Sequence, residues 1–341
     1  TTARLQRPDL APDGTRTLNI MDVPRLILDP GAATPVGALF VYNHNPVATH
    51  PEQRLVRRAM SRPDLFVVGC EVQMTDSMAY ADVILPACSH FEHADLFPAY
   101  GQTYLQRAEA VIPPVGEALP NTEIFRRLAA RFGFDDPCFR ASDAELMDDA
   151  IDGADPRLGG VAPSALPLGV ARNMTAPDGR SPVVPFATVF PTTPSGKAEL
   201  ASALTGARRG FPVPVYRKLE SAWPLALITP SSADRTNATF GAQEASSGMP
   251  PLEIHPADAA VRGIASGHEV RVFNDLGETR LRAVVTDAVR PGVVYSPKGT
   301  WARTSPTGDT VNVLMVSGKA DLCEGACYND TRVEVEMAAV S

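Results

Sequence analysis

Cysteine is scarce and poorly spaced for a cluster. The 341 residues include five cysteines, Cys70, Cys88, Cys138, Cys323 and Cys327, an odd number without a CxxC pair. That argues against a disulfide framework and against a complete four-cysteine zinc or iron–sulfur site. Long apolar runs are missing as well: none reaches the roughly 18 residues of a membrane-spanning helix, so no membrane span is expected. There is no surplus of positive charge. Lys and Arg number 31 against 39 Asp and Glu, a net charge of −8, which speaks against a nucleic-acid partner because such binding needs a basic face. The first residues, Thr-Thr-Ala-Arg-Leu-Gln, carry no initiator Met, basic segment or apolar leader. The chain is therefore expected to be a piece of a longer protein, and no compartment is read from it. With 44% hydrophobic and 21% charged residues, the composition is that of globular material. Proline is abundant, at 32 residues, and implies fixed turns and ordered connections.

Along the chain, Gly37-Ala-Leu-Phe-Val-Tyr42 is a short, continuously apolar run that stops at the polar Asn43-His-Asn-Pro46. Such a run predicts a parallel strand buried on both faces. A helix is expected over residues 52–60, and further strands at Leu65-Phe-Val-Val68 and Ala81-Asp-Val-Ile-Leu-Pro86. Residues 121–133 combine an N-cap, helical apolar spacing and a terminal Gly133. Strands alternating with helices define an α/β layer around a parallel sheet. Pro and Gly crowd residues 151–222, read as an ordered connector that wraps the body. From Trp223 onward short strands dominate: Leu225-Ala-Leu-Ile-Thr229, Glu269-Val-Arg-Val-Phe-Asn274, a hairpin turn at Asp275-Leu-Gly277, a return over 279–285, then Pro291-Gly-Val-Val-Tyr295 and Arg332-Val-Glu-Val-Glu336. Around a single short helix at 256–262 they suggest a closed β-barrel. The boundaries expected are thus 1–150, 151–222 and 223–341.

Chemistry is expected where strands end, because ligands of such sheets bind at the carboxyl ends of strands. Asn45, in the loop after the first strand, can donate to a phosphate or read a base edge; the alternative is a plain Asn-Pro turn. Glu71, after Gly69-Cys-Glu71, is a candidate for ribose hydroxyls, against a solvated loop carboxylate. The third strand delivers Cys88, His90, Glu92 and His93 onto one loop. A metal reading of that set is disfavoured, since no helical spacing puts the histidines on one face, and a polar loop bonding a ligand is preferred. Cys323-Glu-Gly-Ala-Cys327 lacks a partner pair and reads as structure.

Taken in order, these segments resemble the C-terminal part of the molybdopterin oxidoreductases of the dimethyl-sulfoxide-reductase family. Asn45-Pro46 is similar to its Asn-Pro loop. The stretch from Phe66 through Thr75 and residues 81–86 to Glu92 resembles its "strand, Thr, Ala-Asp-hydrophobic-Leu-Pro, Glu" signature. Pro114-Val-Gly-Glu-Ala118 with Asn121, Thr193-Pro-Ser-Gly-Lys-Ala-Glu-Leu200, and the run from Ile254 to Val270 with Gly277 and Pro291-Gly-Val resemble the segments that follow. Five motifs in order span about 300 residues.

The resemblance implies part of a Rossmann-like sheet layer followed by a C-terminal double-psi-type β-barrel. It also implies a Mo-bis(molybdopterin guanine dinucleotide) cofactor, with W possible in place of Mo. On it Asn45 would contact one nucleotide half, and Cys70 and Glu71 would lie at the guanosine ribose. His93 stands where relatives often carry Lys, and Asn121 where they carry an Asp that reads guanine. On the barrel side residues 229–237, with Thr229 and Asn237 at their ends, would cradle a pterin, and Trp301, Asn312 and Asn329 would close over it. Neither a cysteine cluster for a [4Fe-4S] centre nor a metal ligand is present here. Both are expected in an N-terminal remainder of the same enzyme, and the chain alone is not expected to turn over. Expected partners are a small-molecule substrate, that remainder and an electron-transfer subunit. The alternatives are a cofactor-free structural homologue within a larger redox complex, similar to the homologous subunit of respiratory NADH dehydrogenases, and a standalone nucleotide-binding module.

Overall fold

A computed structural model describes residues 8–98, 100–151, 158–174 and 184–339. Parts of the expected connector, 152–157 and 175–183, lie outside the described residues.

The first apolar run forms β1 (Ala38–Tyr42), which pairs in parallel with β2 (Phe66–Glu71), Tyr42 opposite Cys70. The third strand of this sheet, β3 (Val83–Pro86), lies beyond β2. The connection from β1 to β2 carries two short helices, Pro46–Thr49 and Gln53–Met60. Their apolar side chains, Val47, Val56, Ala59 and Met60, pack on Val41 and Val67 of the sheet together with Ile27. Phe40 and Tyr42 remain 42% and 40% exposed, and Phe66 49%. Burial of the first strand on both faces, expected from its unbroken apolar run, is therefore corrected: both crossover helices pack on the face that carries Val41, and Phe40 and Tyr42 of the other face stay partly exposed.

A second sheet is antiparallel and was not expected from the sequence. β4 (Asp95–Pro98) pairs with β5 (Tyr104–Ala108), and β5 with the two-residue β6 (Arg172–Asn173). Leu105 of β5 buries against Leu158 and Leu166 of the Pro/Gly-rich stretch. The helix Asn121–Phe132 starts one residue earlier than expected, with Pro120 rather than Asn121 at its N-cap, and ends in Gly133 at φ +78°, a conformation glycine adopts without a Cβ penalty.

The remaining strands are β7 (Leu225–Ile228), β8 (Pro251–Ile254), β9 (Glu269–Asn274), β10 (Gly277–Val285), β11 (Val293–Tyr295) and β12 (Arg332–Met337). They close into a six-stranded barrel in the order β10-β8-β11-β7-β12-β9. The β7/β11 and β8/β10 pairs are parallel and the other neighbours antiparallel. Strand alternation turns Leu225 and Leu227, Val270 and Val272, and Val333 and Val335 inward, all at most 1% exposed, each such side chain contributing about 1.5–3 kcal/mol. β8 was missed in the sequence because it opens on Pro251, and proline is tolerated there only as the first residue of the strand.

Contacts divide the chain into two compact units: residues 1–16 with 85–213, and residues 17–84 with 214–341. The parallel β1/β2 pair and the barrel thus belong to one unit, assembled from two separate stretches of chain.

Candidate functional site

Within the unit that holds the barrel, the loop after β1 is built tightly. Asn43 takes φ +48°, and its N–H donates to Cys70 O across the strand ends at 3.4 Å. Asn45 is buried at 7% exposure. Its Oδ1 accepts from Ser77 Oγ at 2.7 Å and Ser77 N at 3.2 Å, while Ser77 Oγ in turn accepts from Val47 N at 3.0 Å. The Asn45 Nδ2 donor is buried without a partner.

Next to it, His44 and His50 meet with Nε2 atoms 2.8 Å apart at the wall of an apolar cavity of about 470 Å³, lined also by Val23, Ile27, Phe40 and Met60. Burial lowers the His44 pKa, and burial followed by the neighbouring His44 pushes His50 down to about 4. The pair is neutral at pH 7, one ring donating the shared proton to the other.

At the end of β2, Cys70 is fully buried, its thiol pushed up by burial and then by the charge of Glu71. The half-buried Glu71 is itself pushed up by burial, offset in part by the Val72 N–H that donates to Oε1 at 2.8 Å. That leaves its Oε2 as an acceptor for a ligand.

Three polar side chains tie the loops after β1 and β2 to the barrel segment 301–313. Gln53, fully buried, donates to Val47 O at 2.8 Å and accepts from Thr310 N at 3.1 Å. Asn312 Nδ2 donates to Ala48 O and His50 O, both at 3.0 Å. The buried carboxylate of Asp76 accepts from the backbone N–H groups of Ala302 and Arg303. None of these partnerships is visible in sequence; each joins residues more than 220 positions apart or depends on one that does.

The barrel presents two loops at the carboxyl ends of its neighbouring parallel strands β7 and β11. Thr229 N, opening the first, donates to Asn329 Oδ1 at 3.2 Å. Asn237 lies exposed further along at φ +51°. Gly299 of the second loop, at φ +96°, comes so close that a Cβ there would sit 2.0 Å from Asn237 O. Trp301 is 1% exposed, its indole donating to Ala238 O at 2.7 Å with the Arg303 guanidinium over the ring at 4.4 Å. Eight buried side-chain polar atoms lack a partner among the described residues, and four of them, Ser232 Oγ, Arg235 Nε, Ser296 Oγ and Thr300 Oγ1, lie on these two loops. Native chains leave few such atoms, and each costs about 1–3 kcal/mol. Hydroxyls and a guanidinium concentrated at two strand ends suit the polar edge and phosphates of a pterin nucleotide, so the residues present fit such a group.

The other two expected residues belong to the unit made of residues 1–16 and 85–213. His93 Nδ1 meets Ser89 O at 2.9 Å, and its Nε2 lies 3.7 Å from Asp95. Glu92 of the same loop accepts from Ser89 N at 2.7 Å and Val115 N at 2.6 Å, and bonds from the Ser89 side chain and these amides hold its pKa below the usual carboxylate range. Asn121 is the first residue of its helix. Among the described residues no three His, Cys, Asp or Glu side chains come together to hold a metal ion, and no helix is long and apolar enough to cross a membrane.

Comparison with known proteins agrees with this geometry. Residues 15–131 match the molybdopterin oxidoreductase family model, and residues 225–332 the molydopterin dinucleotide binding domain. The chain belongs to the molybdopterin oxidoreductases of the dimethyl-sulfoxide-reductase family. It is 35% identical to the probable oxidoreductase YoaE of Bacillus subtilis, over 98% of this chain and 49% of that protein. It is 29% identical to a putative catalytic subunit of dimethyl sulfoxide reductase from Halobacterium salinarum, over 96% of this chain and 40% of that one. The chain therefore spans about half the length of the curated relatives it matches. Acetylene hydratase from Pelobacter acetylenicus shares the fold, with a TM-score of 0.71 at 20% identity over 93% of this chain and 46% of that one.

Proposed function

We propose that this chain is the cofactor-binding C-terminal portion of an oxidoreductase that carries a bis(molybdopterin guanine dinucleotide) with Mo or W and acts on a small substrate by redox or oxygen-atom transfer. The observation that carries this is the set of four orphaned polar atoms on the loops after β7 and β11, in the segment that matches the dinucleotide-binding domain. The unpaired Nδ2 of Asn45 donates to one nucleotide half, and Glu71 accepts from ribose hydroxyls beside Cys70. His93 and Asn121, in the other compact unit, are assigned to the nucleotide by the family resemblance alone. Thr229, Asn237 and Asn329 edge the pterin loop, the buried Trp301 braces the segment that follows it through Ala238 O, and Asn312 closes over the pterin from a position fixed by its bonds to Ala48 O and His50 O. When bound, the cofactor supplies a metal that cycles between oxidation states. The residues of this chain bind it, orient it and exclude water.

The metal's protein ligand and a [4Fe-4S] centre belong, on this reading, to an N-terminal remainder of the same enzyme. An electron-transfer subunit is the natural further partner, as the name of the Halobacterium relative, a catalytic subunit, suggests. Metal analysis for Mo and W, with fluorescence of the oxidised pterin, on the full-length protein from its native host tests the reading. About one metal and two pterins per chain are expected for such a cofactor. A clean absence of both overturns it and leaves a cofactor-free structural homologue, the alternative toward which His93 and Asn121 lean.

A further inference from the structure

The segment between β7 and β8 has no regular structure beyond one short 3-10 turn, Glu244–Ser246, so something else must hold it in place. Its first residues are tied by Asn329 and by Lys298 N, which donates to Pro230 O; further along, three contacts come from one short 3-10 turn, Ala302–Thr304, and the tryptophan at its N-cap. Trp301 Nε1 donates to Ala238 O at 2.7 Å. Thr304 Oγ1 donates to Gly241 O at 3.1 Å. Gly248 N donates to Thr304 O at 3.0 Å. Contact at the tryptophan is close enough that a Cβ on Gly241 would lie 1.9 Å from Trp301 Cδ1.

This turn has no cap of its own, because the side chain of its N-cap residue is the indole and makes no capping bond. The amides that open it, of Ala302 and Arg303, instead donate to the carboxylate of Asp76, which comes from the loop after β2 and is 6% exposed. A carboxylate accepting two backbone N–H groups is the stronger class of hydrogen bond. We infer that Asp76 is a positioning residue for the segment that follows the pterin loop: it sets the 302–304 turn, and the turn places residues 238–248, directly after the pterin-cradling 229–237, through Trp301 and Thr304. The inference rests on the cofactor reading for what the loop is for, and on the hydrogen bonds alone for how the loop is held.

The test uses the two tryptophans of the chain. The Trp301 indole reports the loop. The Trp223 indole, which donates to Asp275 at 3.1 Å, is the internal control. In the full chain, Asp76→Ala is expected to raise hydrogen exchange of the Trp301 indole N–H about tenfold or more, on the usual strength of a charge-assisted bond, while Trp223 stays unchanged. Asp76→Asn, whose single oxygen still accepts one amide, is expected to fall between Ala and the parent and to fold where Ala does not. Pterin retained on purification should fall in the same order, to under half for Ala. Unchanged Trp301 exchange in both variants overturns the inference. So does a rise at Trp301 and Trp223 alike, which marks Asp76 as a general brace. If the parent protein holds no pterin, the cofactor reading fails, and the two indole signals still decide the positioning role.

Discussion

Replacing Asn312 by alanine removes a staple whose worth is set by the two carbonyls it serves. The side chain is 4% exposed, and its amide donates to Ala48 O and His50 O at 3.0 Å each. Alanine fills neither role, and water has little access. The loss is that of two stranded acceptors at about 1–3 kcal/mol each where water cannot reach them, so a total of about 2–6 kcal/mol is expected. In a unit of about 200 residues, where 1 kcal/mol moves the midpoint by about 2–4 °C, the expected fall in Tm is about 4–24 °C. Asn312→Asp keeps the shape but turns oxygens toward both carbonyls, and should cost at least as much. Calorimetry or urea unfolding followed by tryptophan emission measures it. A fall of less than about 2 °C in both variants would show that the carbonyls find other partners, and that the joint between the loop after β1 and the barrel does not depend on this side chain.

Three further outcomes are expected. His50 resists protonation in the folded chain down to about 4 against 6.5 for the free side chain, so the unfolded state takes up the proton first. Stability is then complete above pH 6.5 and falls as the pH drops toward 4, by about 2 kcal/mol between pH 7 and 5. Urea midpoints across that range should show the slope, and a His50→Gln variant with the same slope would refute the assignment. Gly299→Ala combines φ +96° with a clash at Asn237 O and should lower stability by about 2 kcal/mol or more, read as a urea midpoint; a neutral result would mean the two loops separate freely. Trypsin should cut first at the exposed Arg208, Arg209, Arg217 and Lys218, leaving residues 225–339 intact on gels; early cuts inside the barrel strands would contradict that order.

Much of the layout was legible because it rests on local signals. The apolar run that stops at Asn43 named β1 and the loop behind it, and Asp275-Leu-Gly277 named the hairpin between β9 and β10. What escaped depends on partners far away in the chain. Asp76 reads as one acidic residue after a threonine, and nothing near it points to amides at 302 and 303. Gln53 looks like a helix-surface residue until Thr310 is placed against it. Phe40 and Tyr42 suggested a strand covered on both sides, since side chains alone do not tell where the helices will lie. The β4–β5 pair was hidden by its shortness and by Pro98 at its end.

The unit that holds the barrel is made from residues 17–84 and 214–341, and this has a consequence for synthesis on the ribosome. When the loop after β1 emerges, the acceptors and donors that will lock it, from Trp301 to Asn312, are still untranslated. About 260 residues, among them all of 85–213 from the other unit, separate His50 from Asn312, a delay of roughly 10–50 seconds at typical elongation rates of roughly 5–20 residues per second. During that interval the carbonyls of Ala48 and His50 and the carboxylate of Asp76 face water or a chaperone, and the nascent β1/β2 pair is exposed to proteolysis until the last barrel strand arrives.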